Sequence, residues 1–142
     1  MLERSRVIFL VDDNGDALED GTAILEGMLE GKGVLSDVRI VTACDVDEAR
    51  VALTELESIS DLRCLLIVDG LNGLGIPLLE ESVARLGNRA VGRLLYSGEA
   101  SNADPEPRAR LVRISACFVL KGSDDVFKAL DVSIDRLLFG GC

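Results

Sequence analysis

The chain has 142 residues, 48% of them apolar and 28% charged, with a net charge of −10. This length suits one domain with a sizeable core, and the composition excludes a disordered chain. The acidic balance argues against nucleic acid and anionic membrane surfaces as partners.

No apolar run approaches the ~20 residues of a membrane span. The five apolar residues from Val7 to Val11 are too few for a signal peptide, so the protein reads as cytoplasmic. Val7–Val11 is a first buried strand ending at Asp12-Asp13-Asn14-Gly15. A helix follows with Ala17, Leu18, Gly21, Ile24, Leu25, Met28 and Leu29 at helical spacing, stopped by Gly31 and Gly33. Val38–Thr42 has the mixed polarity of an edge strand. Asp45 and Glu48 then form a capping box for a second helix with Val46, Ala49, Ala52, Leu53 and Leu56 on its apolar face.

Cys64–Val68 is a continuous aliphatic run, as expected for a central strand covered by helices on both faces, and it ends abruptly at Asp69-Gly70. A glycine-rich loop, residues 70–76, leads to Pro77 as the first residue of a third helix reaching Leu86. Leu94–Tyr96 is a fourth strand ending at Ser97. Residues 100–113 hold two prolines and predict only a short, mobile helix. Ala116–Leu120 is a fifth strand ending at Lys121-Gly122. A last helix starts at Ser123 and buries Val126, Phe127, Leu130, Ile134 and Leu137.

Strand and helix alternate five times, which predicts a flavodoxin-like (βα)5 fold: a doubly wound parallel sheet in strand order 2-1-3-4-5. Neither a Gly-x-Gly-x-x-Gly turn after the first strand nor a Walker loop is present, so a nucleotide-binding version has no support. The four cysteines are scattered. Cys64 and Cys117 lie in strand-like runs and read as small core residues, Cys44 as a reduced thiol near a strand end, and Cys142 as an exposed terminal thiol. With no histidine, the chain has no phosphohistidine of its own.

Four strands end in a polar group that can share one site: Asp12 with Asp13, Asp69, Ser97 and Lys121. Ligands bind at this carboxyl edge of open α/β sheets. Crowded carboxylates repel one another unless a cation intervenes, and hard oxygen ligands suit Mg²⁺. An aspartate beside Mg²⁺ and a lysine ammonium is an activated nucleophile for a phosphoryl group.

Taken in order, Val11-Asp12-Asp13-Asn14, Leu66-Ile67-Val68-Asp69, Tyr96-Ser97-Gly98-Glu99-Ala100 and Phe118-Val119-Leu120-Lys121 resemble the receiver domains of two-component response regulators, in particular the stand-alone, chemotaxis-regulator-like kind. The resemblance covers essentially the whole chain. It implies one receiver domain over residues 1–142 with no output domain. By this resemblance Asp69 is the phosphoacceptor and also a Mg²⁺ ligand. Asp13 binds Mg²⁺ directly, Asp12 binds it mostly through water, and the Leu71 backbone carbonyl supplies a further ligand. Ser97 and Lys121 contact the phosphoryl group, with Ser97 and Phe118 as the switch pair.

The implied role is signalling rather than enzymatic. A histidine kinase or histidine phosphotransfer protein donates the phosphoryl group, and a downstream protein docks on the face of helix 4, strand 5 and helix 5. The chain departs from the family pattern in three places. Gly122 stands where a proline usually follows the lysine, the proline expected soon after the phosphoacceptor is displaced to Pro77, and Leu71 replaces a polar residue near the attacking water. Leu71 and Glu99 would flank that water, with the Leu71 side chain shielding the phosphoryl group and slowing its loss. The alternative is a degenerate receiver acting as a phosphorylation-independent interaction module. An aspartate-based phosphatase needs a second carboxylate where Leu71 stands.

Overall fold

The computed structural model describes residues 5–98 and 104–139. Among the described residues strands and α-helices alternate: β1 (Arg6–Val11), α1 (Gly15–Gly31), β2 (Val38–Ala43), α2 (Val46–Glu57), β3 (Arg63–Val68), α3 (Gly75–Leu86), β4 (Ala90–Ser97), α4 (Pro105–Arg113), β5 (Cys117–Leu120) and α5 (Asp125–Phe139). The five strands form one parallel sheet in the order β2-β1-β3-β4-β5. This is the flavodoxin-like arrangement read from the sequence.

Every residue of β3 is buried, because helices cover both faces of the central strand. Alternate residues therefore feed two cores. Phe9, Leu66, Val68 and Leu95 pack with Leu53, Leu79 and Leu111 beneath α2, α3 and α4. Ile8, Leu65, Ile67 and Val119 pack with Leu25, Leu29, Ile134 and Leu137 beneath α1 and α5.

Local chemistry sets the helix ends. The Asn14 side chain accepts from the N–H groups of Asp16 and Ala17 at 2.9 and 3.2 Å, capping α1. At its other end Gly33 takes φ +73°, and the N–H groups of Gly33 and Val34 bond back to Glu30 and Leu29. That pair of bonds is a Schellman closure, which requires a left-handed residue. Asp45 caps α2 through the Glu48 N–H at 2.7 Å, whereas the Glu48 carboxylate turns to Cys44 and does not complete the expected box.

Several expectations need correction. Cys117 is exposed, because β5 is a four-residue edge strand whose first residue has no covering helix. Phe127 is 57% exposed: α5 turns Val126, Ile134 and Leu137 inward, and a one-residue step of about 100° carries Phe127 outward. Ile24 also reaches solvent. The third helix begins at Gly75, so Pro77 is its third residue, still inside the first turn where no intrahelical N–H is needed. The fourth strand is longer than expected and α5 begins at Asp125. Residues 100–103 and Cys142 lie outside the described residues. Among the described residues no helix is long and apolar enough to cross a membrane.

The opposite, amino edge of the sheet carries one buried and one partly buried cation. Arg63, 9% exposed, donates to the carbonyls of Leu137 at 3.1 Å and Arg136 at 2.9 Å, and Arg6 donates to Leu138 at 3.2 Å. Two arginines thus satisfy the carbonyls of Arg136, Leu137 and Leu138 in the last turn of α5 and face the negative end of its dipole.

Candidate phosphoacceptor and metal site

The ladder between strands continues one residue past β1 and β3. The Asp12 N–H donates to the Ala43 carbonyl at 3.1 Å, and the Asp69 N–H donates to the Val11 carbonyl at 2.8 Å. Both aspartates are therefore held rigidly at the carboxyl edge of the sheet. Asp12 is 3% exposed, and one of its oxygens accepts from the Asn14 N–H at 2.9 Å. Asp13, the next residue, points to solvent. Single carboxylate oxygens of Asp12, Asp13 and Asp69 all lie within 4.8 Å of one another.

Lys121 enters from the loop after β5. Its Nζ donates to Asp69 Oδ1 at 2.6 Å and to Asp12 Oδ2 at 2.9 Å. Burial by itself lowers the Lys121 pKa, but its hydrogen bonds and charge contacts with Asp69 and Asp12 outweigh that, and the net shift is upward. One ammonium against three carboxylates leaves two negative charges uncompensated. A small hard divalent cation fits that donor set and that deficit.

Ser97 is 2% exposed at the end of β4, and its carbonyl accepts the Lys121 N–H at 2.9 Å, tying the two strand ends together. Leu95 pairs with Phe118 and Ser97 with Leu120 across β4 and β5, so Ser97 and Phe118 share one face of the sheet. Phe118 is half-buried there against the α2–α3–α4 core. Gly122 follows Lys121 at φ +81°, and no peptide among the described residues is cis.

The loop after Asp69 sets the path of Leu71. Residues Leu71–Gly73 form a 3-10 turn in which the Leu71 N–H donates to Asp69 Oδ2 at 3.0 Å and its carbonyl accepts from the Leu74 N–H at 3.1 Å. The Leu71 backbone is left-handed at φ +50°, and its side chain is 5% exposed within the core beneath α2 and α3. The isobutyl group is thus packed in that core. Glu99 lies outside the described residues.

Two contributors escaped the sequence reading. A Cβ at Gly75 would stand 2.2 Å from the Asp69 carbonyl oxygen, so the loop folds back onto Asp69 only because residue 75 has no side chain. A glycine six residues past a strand-end aspartate is too common in loops to signal this. Tyr96 places its ring centroid 5.3 Å from Lys121 Nζ. Its signal was the placement of an aromatic directly before Ser97.

No family model matches the chain, and no curated protein matches it in sequence. Solved structures do. A signal receiver domain of an HD domain-containing protein from Pseudomonas fluorescens Pf-5 is 22% identical over 97% of this chain and 93% of its own, with a TM-score of 0.64. The phosphorylated cyanobacterial phytochrome response regulator RcpA is 18% identical over 97% of both chains, with a TM-score of 0.66. The chemotaxis response regulator CheY4 of Vibrio cholerae is 15% identical over 91% of this chain and 98% of its own, with a TM-score of 0.59. With its five parallel strands in order 2-1-3-4-5 and acidic residues gathered at their carboxyl edge, this chain has the fold of the response-regulator receiver domains.

Proposed function

We propose that the chain is a phosphoacceptor switch, in which Asp69 takes a phosphoryl group from the phosphohistidine of a histidine kinase or histidine phosphotransfer protein. One observation carries this reading: Asp12, Asp13 and Asp69 converge within 4.8 Å, with Lys121 Nζ bonded to Asp69 at 2.6 Å. One of the receivers of the same fold, RcpA, is a phosphorylated form.

In the transfer an Asp69 oxygen forms the new P–O bond as the P–N bond to the donor imidazole breaks. The electron pair stays on that nitrogen, which takes a proton from solvent. Asp12, Asp13, Asp69 and the Leu71 carbonyl would hold Mg²⁺, which when bound would offset charge on the phosphoryl oxygens. Lys121 exchanges its bond to Asp69 for one to a phosphoryl oxygen, and the Ser97 hydroxyl bonds another. Movement of Ser97 toward the phosphoryl group frees space for Phe118 on the same face, which alters the surface of α4, β5 and α5 where a downstream protein docks.

Purified protein with Mg²⁺ and acetyl phosphate is expected to gain one acid-labile phosphoryl group by intact-mass spectrometry. Asp69→Asn and chelation of the metal should each abolish the gain. An unmodified wild-type protein would instead favour a phosphorylation-independent interaction module.

A further inference from the structure

Tyr96 and Lys121 meet because of sheet register. Tyr96 pairs with Val119 across β4 and β5, so the two side chains leave the same face. Lys121 lies two residues beyond Val119, in the diagonal position that long and aromatic side chains can bridge. The result is an ammonium over the ring with 5.3 Å from Nζ to the centroid, inside the range in which a cation is drawn to an aromatic face.

Lys121 needs such a guide. Its side chain has four rotatable methylenes and is 28% exposed. The residue after it, Gly122 at φ +81°, imposes none of the backbone restraint a proline would. The bond to Asp69 is the one that must be exchanged when Asp69 is modified. The ring does not depend on the state of Asp69. Its side chain also packs against the α1–α5 core and borders a small apolar cavity of about 40 Å³ lined by Leu10, Gly21, Ile67 and Val119, so one side of the tyrosine is anchored in hydrocarbon.

We propose that Tyr96 is a positioning residue: its ring holds the Lys121 ammonium between Asp12 and Asp69 before, during and after phosphoryl transfer. The inference rests on the phosphoacceptor reading for its consequence, but not for its geometry.

The test uses the whole chain as wild type, Tyr96→Phe, Tyr96→Leu and Tyr96→Met, with thermal melts to confirm that each variant folds. The first measurement is NMR of the unphosphorylated, metal-free protein. The Lys121 Hε protons should show an upfield ring-current shift and an ordered Cε, both kept in Tyr96→Phe and lost in Tyr96→Leu and Tyr96→Met. An equally ordered Lys121 in the two aliphatic variants overturns the proposal whatever the chemistry does. The second is the rate of phosphorylation by acetyl phosphate with saturating Mg²⁺. Tyr96→Phe should match wild type, and the aliphatic variants should be slower by about fivefold, the size of a partly desolvated cation–aromatic contact. Aliphatic variants as fast as wild type, or a Phe variant as slow as they are, would also refute it. A wild-type protein that takes no phosphoryl group defeats the phosphoacceptor reading alone, and the NMR comparison then decides the role of Tyr96.

Discussion

Lys121 is joined to Ser97 through its backbone, at 2.9 Å, and to Asp69 through its side chain, at 2.6 Å. The same residue thus links the end of β4 to the candidate phosphoacceptor on β3. Removing its side chain leaves the buried Asp12 beside two other carboxylates with no cation. Lys121→Met should lower stability by about 2 kcal/mol in urea unfolding without metal, since breaking a partly buried ion pair strands its partner. Added Mg²⁺ should restore part of the loss.

The alkaline limb carries a related expectation. The Lys121 pKa is raised above its ordinary 10.5 in the folded state, so its contribution is complete below that value. It is lost as pH rises through the raised pKa. The stability difference between wild type and Lys121→Met should therefore be flat through neutral pH and shrink only in strongly alkaline solution. Shrinkage already at neutral pH would contradict this assignment.

Two glycines should respond in opposite senses to alanine. At Gly75 the new Cβ meets the Asp69 carbonyl oxygen at 2.2 Å, whereas at Gly27, in the middle of α1, it meets nothing within 4 Å. Gly75→Ala should destabilise by about 2 kcal/mol and slow phosphorylation, because the loop must move away from Asp69. Gly27→Ala should stabilise by about 1 kcal/mol through helix propensity. Melting curves for the pair provide the comparison.

Leu71→Asn tests the core assignment of that side chain. Asparagine tolerates the left-handed backbone at φ +50° better than leucine, a gain of about 1 kcal/mol. Exchanging a 5%-exposed isobutyl group for a buried amide costs about 2–3 kcal/mol, and this term should win. The expected result in urea unfolding is a net loss of stability. A variant as stable as wild type would place Leu71 outside the core.

Arg63→Met keeps the aliphatic stem and removes the donors to Arg136 and Leu137. Three effects coincide: lost hydrogen bonds, orphaned carbonyls and a lost cation at a helix C-terminus. A destabilisation of about 2 kcal/mol is expected, with hydrogen exchange accelerated first in the last turn of α5.

The sequence by itself determined the alternation of elements, the central position of Cys64–Val68 and the edge position of Val38–Thr42. It also determined which residues crown the strands. Hydrophobic periodicity is local, and a strand's last residue is legible wherever an aliphatic run stops at a polar group, so Asp12, Asp69, Ser97 and Lys121 could be read without coordinates. Only the tertiary structure decided what depends on register between strands and on loop path. Tyr96 meets Lys121 because β4 and β5 pair Tyr96 with Val119. Leu71 turns into the core because the 3-10 turn puts its backbone at positive φ. Cys117 and Phe127 are exposed because an edge strand and a 100° helical step leave them uncovered, which composition cannot report. Arg63 reads as a charge flanking a buried strand, and only the return of α5 across the sheet gives it the carbonyls it satisfies. Such pairings join residues as much as 132 positions apart, and no local pattern in the chain encodes them.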